Sequence, residues 1–479
     1  MESRDGSLCF FVWNFFDENI SQKESCFQAA VNGNSEKCFK KWRNSKNETG
    51  TRWKMTENAL KSVEKKLARN LLFKQVKGKG GARMAQGLLS GVKVLDLTRV
   101  LAGPYCGMML ADMGADVIKI ERRDGGDDAR KNAPIVNGES AYFMNLNRNK
   151  RGITLDLKTE KGKEIFKELV KKSDIVLENF RPGVMEKLGL GYEDLKKLNP
   201  AIVYGAVSGF GHYGPYSKRA GYDIIGQAMS GLMSTTGWPD TPPTRTGTAI
   251  SDVVGGLSCC IGVLAAYSNR LKTGIGDKVD VSLVDSTVSA LEIINMIYLC
   301  TGRIPDRIGN RYEAIYPYDS FEARDGMAII ACGNDKLYGI LKTIIPDERL
   351  QEEQFDSNLD RVKNHGLLKP IIEGWTKERT VSEIMEILLQ KGIPAAPVNR
   401  IDQVVTDPHI AGAREMFVEV EHPVAGKVKL TGNQLKFTNN RIEIHTPAPL
   451  LGQHNRMVLM EELGYTEEEC IRLEEEKVI

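Results

Sequence analysis

Val92-Lys-Val-Leu-Asp-Leu-Thr98 is an apolar run of strand length that ends in polar residues. Ala102-Gly-Pro104 follows it, then a helical stretch from Tyr105 to Met113 closed by Gly114, then Val117-Ile-Lys-Ile-Glu121 as a second strand. A strand, a helix and a strand within about thirty residues make one βαβ unit, whose two strands lie parallel. The alternation runs on. Glu160 to Lys172 has the spacing of an amphipathic helix, and Ile175-Val-Leu177 reads as a strand. Met185 to Leu188 and Tyr192 to Leu198 read as helical turns, and Ile202 to Val207 as a further strand. Strands that alternate with helices predict a parallel sheet covered on both faces, hence an α/β domain of the Rossmann type.

Beyond this unit, Gly255 to Lys272 reads as a long helix of Gly, Ala, Ser and Cys, small enough for close helix packing. Val279 to Leu283 returns to strand and Asp285 to Leu299 to helix. From about Thr301 the texture changes to a smaller α+β unit, with a strand at Ala328 to Ala331, helices at Asp335 to Ile345 and Val381 to Lys391, and a strand-and-turn segment at Gly392 to Val398. The tail after Leu450 reads as an amphipathic helix pair. The expected organisation is therefore a large Rossmann-like domain from residues 84–300 with 405–479, and a small domain at 301–404.

The first 83 residues are a different polymer. They hold 17 Lys and Arg against 9 Asp and Glu, a charge of +8, whereas the whole 479-residue chain carries +2. They also hold an aromatic cluster (Phe10, Phe11, Trp13, Phe15, Phe16), and helix-like spacing only between Asn58 and Phe73. Glu2 and Asp5 lead where a signal peptide places positive charge, and nine acids are too many for a transit peptide. Gly80-Gly81 can be encoded by GGAGGN, which resembles a bacterial ribosome-binding site two codons before Met84. The expectation is that Met84 is the physiological first residue and that 1–83 is a poorly ordered extension or translated leader.

With 41% hydrophobic and 27% charged residues, and no run of 18 apolar residues, the chain predicts a globular protein without a spanning helix. Its near-neutral charge predicts neither nucleic acid nor membrane as partner. Nine cysteines without a CxxC pair fit buried thiols in a reducing compartment, so a cytoplasmic location is expected. Six scattered histidines (His212, His365, His409, His422, His445, His454) lack metal-ligand spacing, and the HExxH, GxSxG and GxxxxGK[ST] patterns are absent. No dinucleotide-binding Gly-x-Gly-x-x-Gly pattern is read in the chain, so the sheet is expected to bind something else.

Two acids stand in informative surroundings. Asp223 lies in Ala220-Gly-Tyr-Asp-Ile-Ile-Gly-Gln227, and Asp252 in Gly247-Thr-Ala-Ile-Ser-Asp-Val-Val-Gly-Gly256. An acid at the start of a helix is an N-cap in the plain reading. In the other reading it is an ionised nucleophile, with following glycines that leave room for a bulky acyl group and whose amides meet an oxyanion.

Nine stretches resemble, in order and spacing, the class III (CaiB/BaiF-type) CoA-transferases, to which formyl-CoA transferase and carnitine CoA-transferase belong. They are Gly91 to Thr98 with Ala102-Gly-Pro104, Gly114 to Arg122, Asn149 to Lys158, Glu178-Asn-Phe-Arg-Pro-Gly183, Ser208-Gly-Phe-Gly211 with Gly214-Pro215, Gly221-Tyr-Asp223, Thr273-Gly-x-Gly276, Pro447-x-x-Leu-Leu-Gly452-x-His454 and Glu462-Leu-Gly464. The resemblance spans 84–479 and none of 1–83. It implies an enzyme that moves CoA from an acyl-CoA to a carboxylic acid, with coenzyme A as substrate and no permanently bound cofactor or metal. It also implies a homodimer of two interlocked chains.

The family's catalytic aspartate follows the acid of the Gly-Tyr-Asp motif by 29 residues, which assigns it to Asp252 and implies aspartyl anhydride and aspartyl-CoA thioester intermediates. For CoA the resemblance implies Leu101, Ala102, Arg122, Leu155, Lys158, Asn179, Phe180, Arg181 and Lys187, with Tyr222 and Asp223 near the thioester. Arg122, Lys158 and Lys187 suit phosphates, and Phe180 suits the adenine face. Leu101 stands where formyl-CoA transferase has a polar residue, which points away from oxalate as acceptor, and Arg311 is a candidate to meet a carboxylate. Two rival readings are an α-methylacyl-CoA racemase and a silent CoA-binding protein. The racemase uses a histidine where this chain has Tyr222, a phenol whose ordinary pKa of about 10 suits proton abstraction poorly.

Overall fold

Six short strands, each parallel to its neighbours, build the main sheet in the order β3-β2-β1-β4-β5-β6. They are β1 (Lys93–Asp96), β2 (Asp116–Glu121), β3 (Lys150–Thr154), β4 (Ile175–Glu178), β5 (Val203–Ser208) and β6 (Lys278–Ser282). The computed structural model describes residues 87–479; the extension 1–83, Met84 and the helix-like spacing of 58–73 lie outside the described residues. The strand order is that of the doubly wound Rossmann sheet, and it reverses between β1 and β4, so the carboxyl ends of those two strands frame a crevice.

The helices that position this crevice are α1 (Ala102–Asp112), α2 (Ala141–Asn147), α3 (Glu160–Lys171), α4 (Asp223–Met229), α5 (Ile250–Thr273), α6 (Leu283–Ala290) and α7 (Glu292–Thr301). One core cluster joins β1, β2, β3 and β4 to α3 and the C-terminal helix Glu467–Glu475; the other wedges α1 and α5 against the opposite face of the sheet. Helix α5, 24 residues long, is apolar enough by composition to cross a bilayer. Here it runs along α1 and across β5 and β6.

Several elements differ from expectation for identifiable reasons. Pro104 sits in the first turn of α1, where it is tolerated, so the helix starts at Ala102 and not Tyr105. Helix α5 starts at Ile250, ahead of the glycines, because its free amides are capped by a residue distant in sequence. The single helix expected from Asp285 to Leu299 is two, bent by 76° between α6 and α7. Strand β3 escaped the element reading because Lys150-Arg151-Gly152 looks like a turn. Its cations are neutralised by acids: Lys150 Nζ donates to the buried Asp96 at 2.8 Å, and Arg151 pairs with Asp116 at 2.5 Å and Glu462 at 2.9 Å.

A third core lies entirely within Tyr316 to Ala395. It covers an antiparallel sheet of β7 (Tyr318–Ala323), β8 (Gly326–Ala331) and β9 (Ala395–Pro397) with helices Asp335–Ile344, His365–Thr376 and Val381–Gln390. The hairpin Phe417–His422 with Gly426–Thr431 packs against α2 in a fourth small core.

Candidate active site

The loop between β1 and α1 crosses the crevice, and buried charges hold it. Lys119, on β2, donates to the Thr98 carbonyl and pairs with Asp127 at 2.9 Å, with both side chains fully buried. Burial opposes the Lys119 charge, but Asp127, Asp96 and Glu121 together keep its pKa above the ordinary lysine value. Asp127 in turn accepts from the Val100 amide at 3.0 Å, which steadies Val100 at φ 66°, a left-handed conformation strained for a β-branched residue. Across the crevice, the Asn179 side chain accepts from the Arg99 amide at 2.7 Å and donates to the Arg99 carbonyl at 2.7 Å. The two edges are thereby locked together.

The sequence-predicted CoA residues gather on this carboxyl edge. Leu101 and Ala102 open α1, which no side chain caps, so the first-turn amides of Ala102 and Gly103 are available to an anionic group. Arg122 follows β2 and pairs with Asp128 at 2.6 Å. Lys158, Arg181 and Lys187 are exposed after β3 and β4. Glu178 accepts from the Phe180 amide at 2.7 Å and is pushed up to about 8 by burial, so it fixes the turn that carries Asn179 and Phe180.

Two of these residues are less open than the others. The Leu155 side chain is in the hydrophobic core and its amide donates to Glu121, so only its carbonyl can border a ligand. Phe180 packs on the same core with the Arg99 guanidinium 5.2 Å from its ring, so one face is already covered. Arg99 itself was missed. Nothing in its spacing separates it from any other strand-end cation; only the register of β1 against β4 puts it there.

Helix α5 brings the acids to the same place. Asp252 is not the N-cap: Ala249 holds that position without a side-chain bond. Asp223, the first residue of α4, does the capping from outside, its Oδ1 accepting from the amides of Ser251 at 2.9 Å and Asp252 at 3.4 Å. Buried Gln227 braces it, donating to Asp223 Oδ2 at 2.8 Å and accepting from the Thr246 amide at 2.9 Å. Of the two readings of Asp252, capping therefore falls to Asp223. Asp252 keeps a half-buried carboxylate that forms no hydrogen bond among the described residues.

One turn after Asp252, on the same face of α5, a Cβ on Gly256 would stand 2.5 Å from the Ala102 carbonyl, and one on Gly255 2.7 Å from Leu283 Cδ2. These glycines therefore allow helix contact and do not open room for an acyl group. Their amides lie inside the helix, engaged by the i−4 carbonyls, which removes them as oxyanion donors. Asp252 lies one helical turn before that contact with the start of α1. Tyr142 on α2 is in this field: burial, then Asp252, Asp127 and Asp223, push its phenol up to about 12. It stays protonated and able to donate. Sequence spacing held no sign of it. Tyr222 is 70% exposed beside Asp223. Arg311 pairs with Glu313 at 3.9 Å and is mostly buried, so its charge is engaged within the smaller core region.

A Gly-x-Gly-x-x-Gly spacing does occur, at Gly209 to Gly214, and the sequence reading passed over it. It follows β5 and leads into a loop with no helix until Asp223, so it is not a dinucleotide-binding turn. Among the described residues no cluster of His, Cys, Asp and Glu fits a metal ion.

Comparison with known proteins agrees with this geometry. The family model for CoA-transferase family III matches residues 89–455. The mouse succinyl-CoA:glutarate CoA-transferase is 38% identical over 381 residues, 79% of this chain and 87% of that one. The acetyl-CoA:oxalate CoA-transferase of Acetobacter aceti is 40% identical, covering 74% of this chain and 90% of that one. The succinyl-CoA:mesaconate CoA-transferase of Haloarcula hispanica is 40% identical, covering 79% and 97%. Among solved structures, a CaiB/BaiF family protein from Brucella suis superposes with a TM-score of 0.70 at 38% identity, covering 79% of this chain and all of that one.

Proposed function

The chain belongs to CoA-transferase family III and is an acyl-CoA:carboxylate CoA-transferase; from that premise we propose that Asp252 carries the transfer as its covalent nucleophile. The supporting observation is its carboxylate: half-buried, free of hydrogen bonds among the described residues, and held over the crevice while another acid caps its helix. Its oxygen attacks the donor thioester carbon, the C–S bond breaks, and CoA leaves as thiolate from a mixed anhydride. The thiolate then attacks the aspartyl carbonyl, releasing the donor acid as carboxylate and leaving an aspartyl-CoA thioester. The acceptor carboxylate attacks that carbonyl and expels the thiolate to give a second anhydride. Thiolate attack on the acceptor's acyl carbon forms the new acyl-CoA and restores Asp252. Each intermediate is open to hydrolysis, so the half-buried position contributes by limiting water. Tyr142 is the donor for the oxyanions formed at each addition.

CoA lies along the carboxyl edge, its phosphates met by Arg122, Lys158, Arg181, Lys187 and the amides of Ala102 and Gly103, and its thioester end near Tyr222, Asp223 and Asp252. The acceptor is a dicarboxylic acid, a reading supported by relatives named for glutarate, mesaconate and oxalate. Oxalate is among them, so Leu101 alone does not set it aside. The enzyme works as a cytoplasmic, interlocked homodimer; the unpaired thiols of Cys106, Cys259 and Cys260 and the apolar outer surface of α5 and α7 support that reading. Trapping tests the nucleophile. With succinyl-CoA and hydroxylamine, peptide mapping is expected to find a hydroxamate on Asp252, and Asp252→Ala to abolish both adduct and transfer. Adduct at another residue, or transfer surviving the substitution, would falsify the assignment.

A further inference from the structure

Arg245 stands in the segment between α4 and α5, three residues after Pro242 and just before the Thr246 that Gln227 holds. Its Nη1 is 4.0 Å from Asp223 Oδ2, beyond hydrogen-bond reach, and its Nη2 donates only to the Gly247 carbonyl at 3.4 Å. Its side chain is 48% exposed. Asp223 does not need it for satisfaction. One carboxylate oxygen already accepts from Ser251 and Asp252 and the other from Gln227.

The guanidinium thus lies beside Asp223, the acid whose other oxygen accepts from the Asp252 amide, with most of its five donors unengaged. The chain beside it is not loose: Thr246 donates from its amide to Gln227 at 2.9 Å and from its hydroxyl to the Thr248 carbonyl at 2.8 Å. An acyl chain on Asp252 that ends in a methyl leaves this fork unpaired, whereas one that ends in a second carboxylate matches it in charge and planar geometry. Arg311, the other candidate cation, is only 12% exposed against 48% for Arg245, which leaves less of its guanidinium open to a ligand.

We propose that Arg245 is the specificity residue of this enzyme, selecting dicarboxylic over monocarboxylic acids by pairing with the carboxylate distal to the reacting one. The proposal rests on the reading that Asp252 carries the acyl group and that the acceptor is a dicarboxylic acid. It is tested by steady-state transfer from acetyl-CoA, whose acyl group has no distal carboxylate, to glutarate and to pentanoate, acids of equal chain length, with the wild type, Arg245→Met and Arg245→Lys. The expected result for Arg245→Met is a KM for glutarate raised about 10–100-fold, a change on pentanoate of less than about threefold, and a preference for glutarate that shrinks accordingly. Arg245→Lys keeps the charge without the fork and is expected to fall between. Hydroxylamine trapping from acetyl-CoA checks that Asp252 is still competent in both variants.

An Arg245→Met enzyme that loses glutarate and pentanoate activity alike overturns the proposal, because the residue then merely balances Asp223. So does one that retains the wild-type preference. A wild type that does not prefer glutarate to pentanoate instead overturns the dicarboxylate reading itself, and the selection by Arg245 with it.

Discussion

Asp252 holds its proton to about pH 7, because burial and then the charge of Asp223 push it up from 3.8. Only the carboxylate attacks a thioester, so the first half-reaction is expected to gain rate through neutrality, with kcat/KM rising along a limb of pKa about 7. Stability moves the other way. Between about pH 4 and 7 the native state keeps a proton that the unfolded chain has released, so the native state binds more protons and stability falls as pH rises across that window. Asp252→Asn removes the ionisation. It is expected to be more stable than the wild type at pH 8 by on the order of 1–3 kcal/mol and nearly equal at pH 4, read from melting temperatures at both values. An unaltered difference between the two pH values would place the slope on another group. The family resemblance marked this residue, through its spacing from Asp223. It did not show which of the two acids caps the helix, because that depends on where α4 packs. Tyr142 and Arg245 likewise meet the acids only through segments distant in sequence or across a loop, which local spacing does not reveal.

At the scale of elements, the crossing of α1 and α5, closest at Gly256 and Ala102, sets where Asp252 stands. The glycine-rich face of α5 was legible as a close-packing surface, and the structure adds the particular neighbour: the backbone oxygen of Ala102. A backbone atom cannot rotate away as a side chain can. Gly256→Ala is therefore expected to push the helices apart by some tenths of an ångström and to destabilise the fold by about 1–3 kcal/mol, measured by urea denaturation. Because Asp252 moves with its helix while the crevice edge stays with β1 and β4, kcat is expected to fall more than KM for acyl-CoA rises. Equal loss in both would mean that the crossing serves stability alone. The strands that were read correctly are those with continuous apolar runs. Strand β3 was not, since its charged residues meet partners contributed by β1, β2 and the C-terminal segment, which no local window contains.

For the whole molecule, the apolar pattern is incompletely used by one chain. Helix α7 reads Glu-Ile-Ile-Asn-Met-Ile-Tyr-Leu-Cys-Thr, yet none of its residues is buried, and Leu299 is 73% exposed. On α5, Ile261 is 69% exposed in the middle of the helix and Leu271 70% exposed in its last turn. Scattered apolar residues at a surface are ordinary, but an apolar helix with no buried position has not found its packing partner within the described residues. In the homodimer we propose, a second copy of the chain would meet this surface with matched composition, and two-fold pairing would let one patch serve both sides. Sedimentation equilibrium at micromolar concentration is expected to give twice the chain mass. Met296→Glu with Leu299→Glu puts two carboxylates on that face of each copy, where association would bury four like charges; this variant is expected to be monomeric, folded by circular dichroism, and reduced at least tenfold in transfer. A wild type that sediments as a monomer sinks the dimer reading, and a monomeric variant with full activity would show that each crevice is complete within one chain.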